Sequence, residues 1–331
     1  MKTQKQIEVA ILLPTYNGAE FIEAQIGSLR ENATSFTLHW LDDDSTDNTR
    51  EVFRASARSS GIQLMEWHPV QHQGYPCAFF QLMECVDADI YLFCDQDDIW
   101  QPGKIDATVT SLLAAGPAPL LCFSAARILA ATGSEAPRRV LDLLGVDIEA
   151  ALQEPRSLMF CPAQGNTMGF TRSLREIFLR HKDIARAYSP AHDWWMYLIA
   201  VASGTARMLH DVPTTLFRLH GSNVSGFYYS RNRWRRQQAI RPLMARQAEG
   251  FCLATSTMTP GTKLDRLIAI AQRVATMDRR QSLAALFQLA RSGAMPPSME
   301  FSAWLIAACL CSDAKAGPRY EDSKSMSPVS E

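Results

Sequence analysis

Three short clusters of polar side chains are where this chain could do chemistry. Pro14-Thr15-Tyr16-Asn17-Gly18 follows the apolar run Val9–Leu13, and Asp42-Asp43-Asp44-Ser45-Thr46-Asp47 follows the β-rich run Phe36–Leu41. Asp95-Gln96-Asp97-Asp98-Ile99-Trp100 follows a fully apolar run, Ile90–Cys94. Each acid cluster alone has an ordinary explanation, since acids and Ser/Thr just after a strand cap the next helix. Two acid-rich turns on one sheet edge fit that explanation poorly, because their carboxylates repel. A divalent cation with its own polar ligand would relieve the repulsion. Asp95 and Asp97 flank one residue, a spacing that lets both carboxylates point to one side of an extended turn. Hard oxygen donors of this type suit Mg²⁺ or Mn²⁺ shared with phosphate oxygens.

The elements around these clusters alternate. Between the strand-like runs, including a third at Ile62–Trp67, lie helical stretches after Asn17–Gly18, from Ser45–Thr46 to about Arg58, over Tyr75–Cys85 and from Lys104. Leu120–Phe123 reads as a further strand. Strands separated by helices predict an α/β fold with a mostly parallel sheet flanked by helices. On such sheets ligands bind beyond the carboxyl ends of the strands, so the three clusters are expected to share one cleft. Beyond Gly133 the alternation weakens, and 134–162 is mixed and loop-rich. Thr167–Thr171 returns to the sheet, Ser173–His181 and Asp193–Ala202 are helical, and Ala206–His210 and Thr215–His220 are short strands. The rest is expected to be helical to about Ser312, with a tail too polar to fold from Asp313 to Glu331. The predicted organisation is a domain over 1–226, a helical extension over 227–312 and a disordered tail over 313–331.

The totals set outer limits. The 331 residues are 47% hydrophobic and 20% charged, a globular composition, and the formal net charge of −1 gives no reason to expect nucleic acid. Val9–Leu13 is too short for a signal-peptide core, and Phe301–Cys311 falls short of the roughly 20 residues that span a bilayer. Eight cysteines occur without a CxxC pair, and Cys94, Cys122 and Cys161 lie in apolar runs as small buried thiols. A reduced cytoplasmic setting is expected.

In six segments the chain resembles a known family. ILLPTYNGAEFIEAQIGSL, DDDSTDNT and FCDQDDIWQPGKI are similar to family 2 glycosyltransferases of the GT-A fold. AQGNTMGF, HDWWMYLIA and FRLHGSNVSG narrow the resemblance to a bacterial rhamnosyltransferase-like branch, over residues 8 to 226. The resemblance implies that Pro14 and Tyr16 line a nucleoside pocket with the Tyr16 ring against the base. Asp43 accepts the base N–H and Asp42 supports its turn. Asp95 faces the ribose, and Asp97 ligates the metal bridging the two phosphates. Asp193 is the catalytic base, and His220 lies beside the metal and pyrophosphate and completes the coordination. From local pattern alone Asp193 reads only as a carboxylate at a helix N-terminus, and His220 as a loop histidine.

The resemblance further implies inverting transfer from a nucleotide-diphosphate sugar, with rhamnose from its dTDP donor favoured by the branch alone. The acceptor is a glycan or lipid-linked glycan in surface polysaccharide assembly. The chain departs from the family at three places. Asp44 stands where many relatives have Gly, Cys77-Ala78 where they often carry Lys or Arg and Asn, and Asn166 where Cys is common.

Two features stay open. Trp194 and Trp195 open an apolar helix, at least one as core and the other as core or as a sugar-stacking ring. Arg218, Arg231, Arg233, Arg235, Arg236, Arg241 and Arg246 form a stretch without Asp or Glu. It reads either as a solvated helix face or as a contact with anionic lipid or a lipid-diphosphate acceptor, which would place the protein peripherally on the inner membrane. Among rivals, a sugar nucleotidyltransferase needs a Gly-rich basic loop that Pro14–Gly18 lacks. A processive synthase needs transmembrane helices. A non-catalytic sugar-nucleotide-binding scaffold has no need of Asp193.

Overall fold

A computed structural model of the chain describes residues 7–69, 71–114, 116–129, 135–140, 161–203, 205–209, 215–220 and 246–254. The expected helical extension and tail lie outside these residues, apart from a helical segment at 246–254.

The first half alternates as its apolar runs require: β1 (Val9–Thr15), α1 (Ile22–Ser28), β2 (Thr37–Asp42), α2 (Thr49–Ser60), β3 (Gln63–Trp67), α3 (Cys77–Cys85) and β4 (Ile90–Phe93). There follow β5 (Ile99–Trp100), α4 (Lys104–Leu113), β6 (Leu121–Phe123), β7 (Ala126–Leu129) and β8 (Glu135–Arg139). A short 3-10 turn at Gly165–Thr167 leads into β9 (Gly169–Thr171), α5 (Arg172–Arg180), α6 (Lys182–Tyr188), α7 (His192–Ala202), β10 (Ala206–Met208) and β11 (Thr215–Arg218).

Seven strands form the main sheet in the order β10-β6-β9-β4-β1-β2-β3. All pairs are parallel except those of β9, which runs antiparallel to both β4 and β6. Along β1 successive side chains face opposite ways. Ala10 and Leu12 join a core with α3, α5 and α7, while Val9, Ile11 and Leu13 join one with α1, α2 and α4. Covering both faces is what allows a parallel sheet to read as unbroken apolar runs. Residues 246–254 add Ala248, Phe251 and Ala254 to the first core.

β4, β1 and β2 are neighbours, so the three polar turns that follow them stand side by side, as the parallel arrangement predicts. A smaller sheet, β5-β11-β7-β8, was not legible in the sequence. Its pairing of Thr215 with Trp100 and Leu216 with Ile99 delivers the chain after β11 to the turn after β4.

The start of α2 differs from expectation. Ser45 and Thr46 do not cap it; the helix begins at Thr49, whose N–H and hydroxyl go to Asp47. Ser45 and Thr46 are engaged by the first turn instead: the Asn17 N–H donates to Ser45 Oγ (2.9 Å), and the Thr46 N–H donates to Asn17 Oδ1 (2.8 Å).

Candidate active site

The turn after β2 is held by its own neighbours. Asp42 accepts hydrogen bonds from the Thr15 hydroxyl (3.0 Å), the Ser45 N–H (2.9 Å), the Ser45 hydroxyl (2.7 Å) and Arg50 Nε (2.6 Å). This ties β2 to β1 at the register pair Thr15–Asp42. Asp43 accepts the N–H groups of Gln73 (2.6 Å) and Gly74 (2.7 Å), and its backbone carbonyl accepts from His72 Nδ1 (2.7 Å). Burial raises the Asp43 pKa, against these two amides, which lower it. Gly74 reaches Asp43 with φ of 69°, a left-handed conformation that suits glycine. Asp44 also has φ of 69°, a left-handed conformation that Asp tolerates better than most side chains.

Beside this turn Tyr16 is 43% exposed, and its ring lies 4.9 Å from the His72 ring. Pro14 is half-buried one step before it. A cleft of about 260 Å³, lined in part by Asp42, Asp44, Arg50, Trp67 and His72, opens along the same loop. Gln96 links this end to the next turn: its Oε1 accepts the Tyr16 N–H (2.9 Å) and its Nε2 donates to the Tyr16 carbonyl (3.1 Å).

The turn after β4 is different. Asp95 is half-buried, and its pKa lies well above the usual carboxylate range through burial first, then through Asp98, Asp97 and Asp193. Asp98 is fully buried and pushed up to about 7 by burial and by Asp97. The facing cation is Lys104, itself buried, its pKa brought down to about 7 by that burial, with its ammonium 3.4 Å from the Trp100 ring centroid. Asp97 faces His220, with Oδ2 2.8 Å from Nε2. The His220 ring packs 4.5 Å from that of Phe21. The sequence-predicted metal pair is therefore brought together by the β5–β11 pairing.

Asp193 stands in the first turn of α7. Its Oδ2 accepts the Gly165 N–H (3.1 Å) and its Oδ1 its neighbour's, that of Trp194 (2.7 Å). Burial nonetheless raises its pKa to about 6, with these amides opposing the shift. Gly165 allows the approach: a Cβ there would lie 2.5 Å from His192 Nε2. His192 is buried and stacked on Phe79 (3.7 Å), and it forms the floor beneath Gly165.

Both tryptophans, Trp194 and Trp195, are buried in the core, so neither is the sugar-stacking ring that the sequence left open. Of the arginine stretch, Arg218 donates through Nε to the Asp97 carbonyl (3.0 Å) and Arg246 to the Ala187 carbonyl (2.9 Å); the other five lie outside the described residues. Sequence reasoning missed Gln96, Asp98 and Lys104 as parts of the site.

The donor set fits a divalent cation. A carboxylate oxygen and an imidazole nitrogen face one another among further buried acids. Among the described residues no group of three or more His, Cys, Asp or Glu could hold a metal alone. Remaining positions would fall to phosphate and water oxygens, as is usual for Mg²⁺ and Mn²⁺. No helix among the described residues is long and apolar enough to cross a membrane.

Comparisons with known proteins agree with this fold. The sequence model of glycosyl transferase family 2 matches residues 10–178, half of the chain, and the chain belongs to that family. The dTDP-rhamnosyl transferase RfbG of Shigella flexneri is 25% identical over 262 residues, covering 72% of this chain and 86% of that protein. WfgD of Escherichia coli, a UDP-Glc:alpha-D-GlcNAc-diphosphoundecaprenol beta-1,3-glucosyltransferase, is 32% identical over 107 residues, covering 32% of this chain and 41% of its own. The mannosyltransferase PcManGT from Pyrobaculum calidifontis, solved with GDP-Man and Mn²⁺, aligns with a TM-score of 0.56 at 17% identity. That alignment covers 93% of this chain and 81% of the other, and the fold is GT-A.

Proposed function

We propose that this glycosyltransferase moves L-rhamnose from dTDP-rhamnose to a hydroxyl of a glycan or lipid-linked glycan during bacterial surface polysaccharide assembly. Similarity to RfbG along most of both chains supports the sugar and the setting. The observation that carries the chemistry is Asp193, a carboxylate with a pKa of about 6 that interacts electrostatically with Asp95. A base of that strength, ionised near neutral pH, can take the acceptor proton as its oxygen attacks the anomeric carbon. A well-placed base contributes about 10²–10⁴-fold in rate. Attack from the face opposite the leaving group inverts the anomeric centre.

The leaving nucleoside diphosphate is already an anion, so no general acid is required, unlike in glycoside hydrolysis. Asp97 and His220 would hold a Mg²⁺ or Mn²⁺ ion, which when bound neutralises charge growing on the leaving phosphate. Tyr16 and Pro14 would flank the nucleoside, and Asp95 would meet the ribose. Asp43 would take the base N–H on carboxylate capacity left beside Gln73 and Gly74, while Asp42 holds the turn. Lipid-linked acceptors would bring the protein to the cytoplasmic membrane face.

A panel of UDP-, GDP- and dTDP-sugars, with and without Mn²⁺ or Mg²⁺, tests the reading. The expected result is metal-dependent binding of dTDP-rhamnose that Asp97→Ala weakens, while Asp193→Ala keeps binding and loses turnover about 10²–10⁴-fold. Preference for another donor would overturn the rhamnosyl assignment alone. If no nucleotide sugar binds under any condition, the transferase reading falls and a binding scaffold takes its place.

A further inference from the structure

Among the buried polar residues to which no role is assigned above, one adjoins the candidate site. Asn166 sits in the 3-10 turn Gly165–Thr167 and is 1% exposed. Its side-chain amide donates to the Asp98 carboxylate through Nδ2, while its Oδ1 has no partner. The Asp98 bond therefore holds the side chain. Its backbone carbonyl accepts from the Lys104 ammonium and from the Thr215 hydroxyl (3.1 Å). One residue thus touches the turn after β4, the start of α4 and the start of β11.

The contacts continue in both directions. On one side, Asp98 Oδ1 accepts the Arg218 N–H (3.0 Å), Arg218 Nε donates to the Asp97 carbonyl (3.0 Å), and Asp97 faces His220. On the other, the residue preceding Asn166 gives its N–H to Asp193. An unbroken series of hydrogen bonds and one peptide link therefore joins the pair expected to hold the metal to the expected base. We propose that Asn166 is a positioning residue that sets the separation between the Asp97–His220 pair and Asp193, through the hydrogen bond its side-chain amide donates to Asp98. This rests on the transferase reading for its meaning, although the joint itself is a property of the free protein.

The side-chain chemistry is specific. Aspartate at 166 would set a second carboxylate against Asp98, and an apolar residue would leave a buried Asp98 oxygen without its donor. Neither change would touch a residue expected to contact the donor. The consequence should fall on alignment, where about 1 Å of misplacement costs about 10²-fold, rather than on donor affinity.

The test uses the full chain with Asn166→Ala and Thr215→Val. The second replaces the hydroxyl on the Asn166 carbonyl with a methyl of similar shape and guards against a failure of the first to fold. Amide hydrogen exchange over 161–169 and 192–195 is followed without ligand. Binding of dTDP with Mn²⁺ is then measured by calorimetry, and kcat as a function of pH. For Asn166→Ala we expect exchange in both segments to rise at least about tenfold and kcat to fall about 10–100-fold. The dissociation constant for dTDP with Mn²⁺ should stay within about threefold, well below the effect on alignment. The acid limb of kcat should move to higher pH, because the Gly165 amide no longer favours the Asp193 anion. Thr215→Val should show the same split, smaller.

Unchanged exchange overturns the proposal whatever happens to turnover. Equal losses of binding and kcat overturn it too, since Asn166 would then merely hold the metal turn. If wild type bound no nucleoside diphosphate, the transferase reading would fail, and the exchange result would still decide whether the joint exists.

Discussion

After β2 the three acids Asp42, Asp43 and Asp44 find their partners inside the chain: Arg50 for Asp42 and Asp44, and the Gln73 and Gly74 amides for Asp43. After β4, Asp95, Asp97 and Asp98 crowd together beside the buried Lys104, and although Asp98 accepts from Asn166 and the Arg218 N–H and Asp97 faces His220, burial still lifts the Asp95 and Asp98 pKa values. Similar letters at adjacent strand ends thus reach different electrostatic states. The first turn is complete as folded. The second gathers carboxyls whose ionisation is opposed by burial and by one another, an opposition that the proposed cation would relieve.

The largest way to break this contrast is Asp97→Ala. Turnover should fall about 10³-fold, the several kcal/mol that a charge-neutralising cation supplies, with little change in melting temperature. The matching change in the other turn, Asp42→Ala, should do the reverse. It strands the Thr15 and Ser45 donors and unpairs Arg50, costing about 2 kcal/mol in denaturant unfolding while the metal requirement stays unchanged. Arg50 is partly exposed, which keeps that figure below the cost of breaking a fully buried pair.

A pH profile sharpens the comparison further. The proposed base must be ionised to work, and Asp193 has a pKa of about 6, so kcat should fall about fivefold between pH 6 and pH 5. A folded-state pKa above the unfolded value of 3.8 means this group adds stability as pH drops through about 6. Loss of rate in that window is therefore not its unfolding, and circular dichroism should be flat there. The smallest effect is expected from Asp44→Gly. Removing an exposed carboxylate from a left-handed position should shift stability by less than about 0.5 kcal/mol and leave donor binding alone.

The strands that carry the site were legible because β1, β2 and β4 are apolar runs bounded by polar turns, and a parallel sheet puts their ends on one edge. The Asp97–His220 partnership was implied only by resemblance; its physical cause, the β5–β11 pairing, was not. β5 has two residues, too few to show any periodicity, and its partner lies more than a hundred positions away. Ser45 and Thr46 misled for a related reason. Their capping chemistry is real but is claimed by Asn17, a contact across 28 and 29 positions that no local pattern reports. Asn166 stood out as unusual in the sequence, yet its link to Asp98 spans 68 positions and exists only in the fold.

Gln96 has a consequence for how a donor is measured. By accepting the Tyr16 N–H and donating to the Tyr16 carbonyl, its side chain acts as one extra rung between the first and third polar turns. The two jaws of a caliper are thereby set at a fixed gap, one at the aromatic ring and one at the acids. Because that gap is fixed during folding, the ordering entropy is not charged again when a nucleotide arrives. On the proposed reading, a molecule with the wrong distance between its flat ring and its phosphates would be refused on length, before its sugar is read.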